Sequence, residues 1–120
     1  MFDTYGATSL FTTVGDLLKW EDNFDNPRIG SRALLEEMQT PARLNDGKPT
    51  ERGLGLVVGT YRGARTVGHG GADAGYRADV LRFPDHHVAV AVLCNLSTVT
   101  PSVLTRKVAE VILSPGVLGR

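Results

Sequence analysis

The sequence predicts an α+β fold: a four-stranded antiparallel meander packed against N-terminal helices and a C-terminal helix. Three observations point there. Apolar residues recur at helical spacing in 13–40 and again in 100–113. Between these stretches, from Gly53 to Asn95, the period becomes that of strands. The breaks between those strands are a few residues long, which makes neighbours antiparallel rather than joined by crossovers. Helices laid against one antiparallel sheet form an α+β layer structure. The chain of 120 residues is expected to be a single domain, 1–120. A chain of this size buries roughly 65–70% of its unfolded surface, enough for one core.

Taken in order, "TTVGDLLKWEDNF" opens with Thr13 as a cap and Asp16 three residues on. Val14, Leu17, Leu18 and Phe24 follow at helical spacing, with Trp20 beside the stripe and Asn26-Pro27 as the stop. "SRALLEEMQT" predicts a second short helix, capped by Ser31, with Leu34, Leu35 and Met38 inward and Pro41 as terminator. "PARLNDGKPTERG" is a polar loop built of turn residues. Strands are expected at 53–61, 65–71, 76–84 and 87–95. The fourth carries Val88, Val90 and Val92 on one face and Ala89, Ala91 and Leu93 on the other, so it is expected to be covered on both sides. Thr100 and Pro101 then start a last helix, with Leu104, Val108, Val111 and Ile112 as its buried stripe. Ser114-Pro115-Gly116 closes it.

Composition excludes some partners. Thirteen basic residues balance thirteen acidic ones, and no basic run supplies the surplus that nucleic-acid binding needs. No apolar stretch approaches the ~20 residues that span a bilayer, so no membrane partner is expected. "MFDTYGATSL" lacks the basic start and apolar core of a secretory leader, and the compartment is left open. Cys94 is the only cysteine and lies in an apolar run, as a small buried hydrophobe does.

The chemistry is concentrated in "TVGHGGADAGYRADVLRFPD", residues 66–85, where four glycines surround one histidine. It is not a dinucleotide fingerprint: Asp73 stands where the third glycine belongs, and a strand follows instead of a helix. Nor is it a P-loop, since Gly75 is followed by Tyr76-Arg77. His86 and His87 are adjacent, and with His69 and Cys94 they give no metal-ligand spacing, so no metal or other cofactor is expected. Two readings remain from the residues alone. One is a glycine-rich bulge with a surface histidine. The other is a strand edge whose bare main-chain N–H groups face a ligand, one of them aimed at a developing oxyanion.

These residues also resemble a known pattern. His69-Gly70-Gly71 resembles the histidine form of the third active-site motif of the serine β-lactamase and penicillin-binding-protein family. The similarity is to the branch with class C β-lactamases, family VIII esterases and D-aminopeptidases. "YGATSLFTTVGDLLKW" resembles the family's turn leading into a Thr/Ser-x-x-Asp-Leu helix. "GLGLVV" is similar to the strand before the motif, and "GYRADVLRFPDHHVAVAVLCN" to the strand pair after it, ending in Asn95. The resemblance implies a small-molecule acyl substrate and a role for six positions. His69 takes the motif's Lys/His place beside the nucleophile. Ala72 offers the N–H that completes an oxyanion hole. Gly70 and Gly71 let the substrate lie along the strand. Asp73 and Tyr76 fall in a loop after the motif, where substrate contacts vary.

The family's nucleophile is the Ser of Ser-x-x-Lys, helped by the Tyr of Tyr-x-Asn. Neither occurs here. The residues three after Ser9, Ser31, Ser97, Ser102 and Ser114 are Thr12, Leu34, Thr100, Thr105 and Val117; Tyr5, Tyr61 and Tyr76 lead to Ala7, Gly63 and Ala78. The resemblance therefore implies the C-terminal portion of such a hydrolase, with Ser9 or Ser97 as the only stand-in nucleophiles to consider. The alternative is a non-catalytic module that self-associates. The sheet is left with an open edge, which invites a homodimer or pairing with a missing N-terminal segment.

Overall fold

The computed structural model describes residues 6–8, 10–113, 116 and 118; Tyr5, Ser9 and the Ser114-Pro115 stop lie outside the described residues. The order is α1 (Val14–Asp25), α2 (Arg32–Met38), β1 (Val57–Tyr61), β2 (Ala64–Asp73), β3 (Tyr76–Phe83), a 3-10 turn (Pro84–His86), β4 (Val88–Cys94) and α3 (Pro101–Ile112). The strands form one antiparallel sheet in the order β1-β2-β3-β4, the expected meander. Among the described residues no helix is long and apolar enough to cross a membrane.

The helix starts follow from their caps. Thr13 accepts from the amide of Asp16 at 3.2 Å, and Ser31 from that of Leu34 at 3.1 Å. Pro101 opens α3 after Thr100, whose side chain makes no capping bond. Between α1 and α2 the buried Asn23 side chain accepts from the amides of Arg28 and Ile29 and donates to the Ile29 carbonyl, which fixes the turn.

Two hairpins set the register. Tyr61 pairs with Ala64 across Arg62-Gly63, and Asp73 pairs with Tyr76 across Ala74-Gly75. Arg62 and Ala74, the first residue of each connection, sit at φ 47° and 46°, in the left-handed region that tight hairpins demand. Side chains then alternate. Leu81, Phe83 and Val90 face α3 and form the main core with Ala64, Ala109, Leu113 and Leu118. Fully burying one such side chain is worth about 1.5–3 kcal/mol. His69, Val80 and Arg82 face the other way, toward α1 and α2.

Arg82 holds that second layer. It is 3% exposed, yet charged. Its Nε donates to Glu21 Oε2 at 3.2 Å, its Nη2 to Gln39 just past α2, and its plane lies 4.6 Å over the Phe24 ring. Asp25 stands 3.8 Å from Nη1, and its Oδ2 also accepts from Nδ1 of exposed His87 at 3.0 Å. Burial pushes the Glu21 carboxyl up and the Arg82 guanidinium down, against the mutual attraction that favours both charges.

Several expectations need correction. The stripe Leu104, Val108, Val111 and Ile112 is not buried: exposures run from 37% to 87%. The residues that meet the sheet are Thr105 and Ala109, small enough to let α3 lie close. The apolar stripe lies about a third of a turn away. Arg106 and Glu110, which reach Tyr61 of β1, mark the opposite flank, so the stripe looks toward β4. On α2, Leu35 is buried and Met38 half-buried, but Leu34 is 44% exposed. β4 is covered less than expected: Val90 is buried, Ala89 and Ala91 half-buried, and Leu93 exposed. The first strand begins at Val57 rather than 53, because Gly53 is pressed against the Met38 carbonyl and bonds across a tight turn to Leu56.

Arg82→Ala is expected to lower the unfolding free energy by about 3–5 kcal/mol, since Glu21 stays buried without its partner. The double variant Glu21→Leu/Arg82→Met should recover most of that loss. Urea unfolding of the three proteins checks this; a single-variant cost under about 1 kcal/mol would contradict the role given to Arg82.

Candidate active site

β2 is twice the length of β1, and the difference makes the site. β1 begins only at Val57, opposite Gly68. Beyond that point β2 continues through His69, Gly70, Gly71, Ala72 and Asp73 with β3 on one side only. The register decides where each backbone group points. A two-residue hairpin closes on a pair that exchanges both its hydrogen bonds, and such pairs then recur at every second residue. Counting back from Asp73–Tyr76, the bonded pairs with β3 are Gly71–Ala78 and His69–Val80. Counting from Tyr61–Ala64, those with β1 are Gly59–Thr66 and Val57–Gly68. Both counts leave the N–H and C=O of Gly70 and Ala72 directed away from β3, past the end of β1. No described residue bonds either amide.

The glycines divide by purpose. A Cβ at Gly68 would overlap the Val80 carbonyl oxygen, so this glycine serves the approach of β3. That contact also confirms that the Val80 carbonyl faces β2, as the register requires. A Cβ at Gly71 would meet only the Ala78 Cβ, at an ordinary 3.6 Å. The sheet's packing does not require glycine there.

His69 is exposed, and its imidazole makes no hydrogen bond among the described residues. Its side chain lies on the α1/α2 face, two residues from Gly71 and four from Asp73 on the same side. Asp73 and Tyr76 were expected in a loop; both instead end strands as the closing pair of the hairpin, on the face of His69. The reason is the two-residue connection Ala74-Gly75, with Arg77 donating to the carbonyls of Ala74 (3.1 Å) and Tyr76 (2.7 Å) to pin it. The structure thus brings His69, Gly70, Gly71, Ala72 and Asp73 of β2 and Tyr76 of β3 together at one hairpin end. Ser97 lies in the exposed loop between β4 and α3 and carries no recorded bond to this group.

On the other face two open grooves border the same strand. One, about 360 Å³, lies between Gly70–Ala72, Arg77, Asp79 and the start of α3 at Thr100–Ser102. The second, about 340 Å³, wraps the open edge, so its lining takes in His69 and Glu51 as well as Thr66, Gly70, Asp79 and Arg106. Asp79 and Arg106 were not singled out from the sequence. The available signal was the alternation Arg77, Asp79, Leu81, Phe83, in which a core-facing row begins with two charges. Among the described residues no three His, Cys, Asp or Glu side chains group as a metal site.

The described residues thus present His-Gly-Gly on an edge strand, with an outward amide one residue on, over a helix-backed antiparallel sheet. The comparisons place the chain more narrowly. The beta-lactamase family model matches residues 1–112, and the chain belongs to that family, that of serine β-lactamases and penicillin-binding-like hydrolases. It is similar to D-aminopeptidases of Brucella ovis and Brucella abortus, 29% identical over 90 residues, covering 75% of this chain and 17% of each relative. The D-aminopeptidase of Cereibacter sphaeroides matches with the same identity and coverage. The chain therefore spans about one-sixth of the length of the curated relatives it matches.

Proposed function

We propose that this chain is the C-terminal portion of a β-lactamase-family serine hydrolase, one that transfers the acyl group of a β-lactam, small ester or D-amino-acid peptide to water. The outward amides of Gly70 and Ala72, beside an unengaged His69, carry this reading. The D-aminopeptidase relatives favour the peptide end of that range. A serine from polypeptide outside this chain attacks the acyl carbon, and the new C–O bond puts negative charge on the carbonyl oxygen. The Ala72 N–H stabilises that charge; one such donor is typically worth about 3–4 kcal/mol. The leaving amine or alcohol departs with the proton the serine gave up, relayed with His69 as a hydrogen-bonding group. Water then cleaves the acyl-serine ester and regenerates the hydroxyl. Gly70 and Gly71 give the acyl chain a surface with no side chains in the way. Asp73 and Tyr76 border its far end.

The outer edge of β4 supports a second element of this reading. β4 carries no charged residue and has no strand beyond it among the described residues. The exposed stripe of α3 flanks it. Natural sheets protect such edges with charge, proline or cover. A strand from the parent polypeptide pairs there, and the isolated chain associates through the same edge. Sedimentation equilibrium of the chain should show a concentration-dependent dimer that dissociates in Ala91→Lys; a monomer at every concentration would remove the edge from the account.

For the acyl site, N-acetyl-D-alaninamide titrated into the isotope-labelled chain should shift the amide resonances of Gly70 and Ala72 first. Ala72→Pro deletes one N–H at an edge position that proline tolerates. It is expected to weaken the probe three- to tenfold, about the value of one hydrogen bond. Shifts located elsewhere, or unaltered affinity in the variant, would overturn the assignment.

A further inference from the structure

Beneath Gly70, on the face turned to α3, lies a carboxylate that the acyl-transfer reading leaves unused. Asp79 is 9% exposed. Its Oδ2 accepts from the Thr105 hydroxyl at 2.5 Å. Its Oδ1 accepts no hydrogen bond from any described residue. That oxygen is also not sealed off, because among the described residues no fully enclosed side-chain oxygen lacks a partner. It borders both grooves. The charged residues that share the two grooves with it are Arg77, Arg106 and Glu51, and neither arginine comes within ion-pair distance of Asp79. Arg77 is spent on the Ala74 and Tyr76 carbonyls, and Arg106 on the Ser102 carbonyl and the Tyr61 ring.

The approach to Oδ1 runs through Gly70. A Cβ there would sit 3.4 Å from Oδ1, so the missing side chain leaves a gap between the open edge and the carboxylate. A mostly buried carboxylate with one free oxygen is satisfied best by a cationic donor, since charge-assisted hydrogen bonds are about twice as strong as neutral ones. A gap the size of one missing side chain suits a compact ammonium better than a planar guanidinium. The geometry points to Asp79 as a specificity-determining residue that receives a primary ammonium of the ligand laid along Gly70–Ala72. This rests on the reading of that edge as the acyl-ligand site. The ammonium donates to Oδ1 while Thr105 keeps Oδ2 in place.

The test compares D-alaninamide, at a pH where its amine is protonated, with neutral N-acetyl-D-alaninamide. Both are titrated into the labelled chain, with the Gly70, Ala72 and Asp79 resonances as readout. D-Alaninamide is expected to bind about tenfold more tightly than the neutral probe, and Asp79→Asn, which keeps an acceptor for Thr105, to abolish the difference. Gly70→Ala, which leaves the charge but narrows the gap, should reduce the preference in the same direction. Equal binding of the two probes would overturn the role of Asp79 while leaving the acyl edge intact. Binding of neither would overturn both. A preference that survives Asp79→Asn in a folded variant would place the ammonium elsewhere and overturn the proposal.

Discussion

The parity of backbone hydrogen bonding along β2 is the constraint from which the site follows. Two hairpins, each with a two-residue connection, fix that parity from both ends of the strand. The bond-exchanging pairs fall on Thr66 and Gly68 toward β1, and on His69 and Gly71 toward β3. β1 then stops, and the next outward-facing residues, Gly70 and Ala72, have donors with no strand to receive them. An edge strand is ordinarily a liability. Here it is short, glycine-lined and bent close to β3 at Gly68, so it offers amides to a ligand without offering a long template for aggregation.

β3 supports this edge from both faces with buried charge. On one side Arg82 reaches Glu21 and Gln39 and so fastens α1, α2 and the loop behind them to the sheet. Three positions earlier, on the opposite face, Asp79 takes the Thr105 hydroxyl and fastens α3. Buried ion pairs add little net stability over apolar side chains of similar size, but they are costly to break. Their effect here is positional. These contacts tie α1, α2 and α3 to β3, and Gly70 lies over Asp79.

Much of this was legible in the sequence because it depends on local signals. Thr13, Ser31 and Pro101 mark helix starts through cap chemistry that needs no tertiary partner. The alternation in 76–83 and 88–94, and the short connections, give the meander. What was not legible depends on partners. In α3 the periodicity correctly marks Leu104, Val108, Val111 and Ile112 as one apolar face, but period alone does not say which face meets the sheet. Thr105 and Ala109 win because α3 packs closely and because Asp79 needs a donor. Gly53 reads as a strand residue until the Met38 carbonyl is found against it. At the site, His69, the glycines and Ala72 were visible as a motif. Asp79 was hidden because a single Asp in an alternating strand looks like a solvent-facing residue until the register turns it inward.

On the proposed reading, the chain supplies the amides and histidine of an acyl-transfer site and other polypeptide supplies the nucleophile. That account stands or falls on which amides of β2 face outward. Residue-resolved hydrogen exchange of the folded chain measures this directly. Gly70 and Ala72 should exchange at close to unprotected rates, while His69 and Gly71, bonded to Val80 and Ala78, should be slowed by at least about a hundredfold through a stability of several kcal/mol. The reverse pattern, with Gly70 and Ala72 protected and their neighbours fast, would mean the register is shifted by one residue and the oxyanion donor is turned into the sheet.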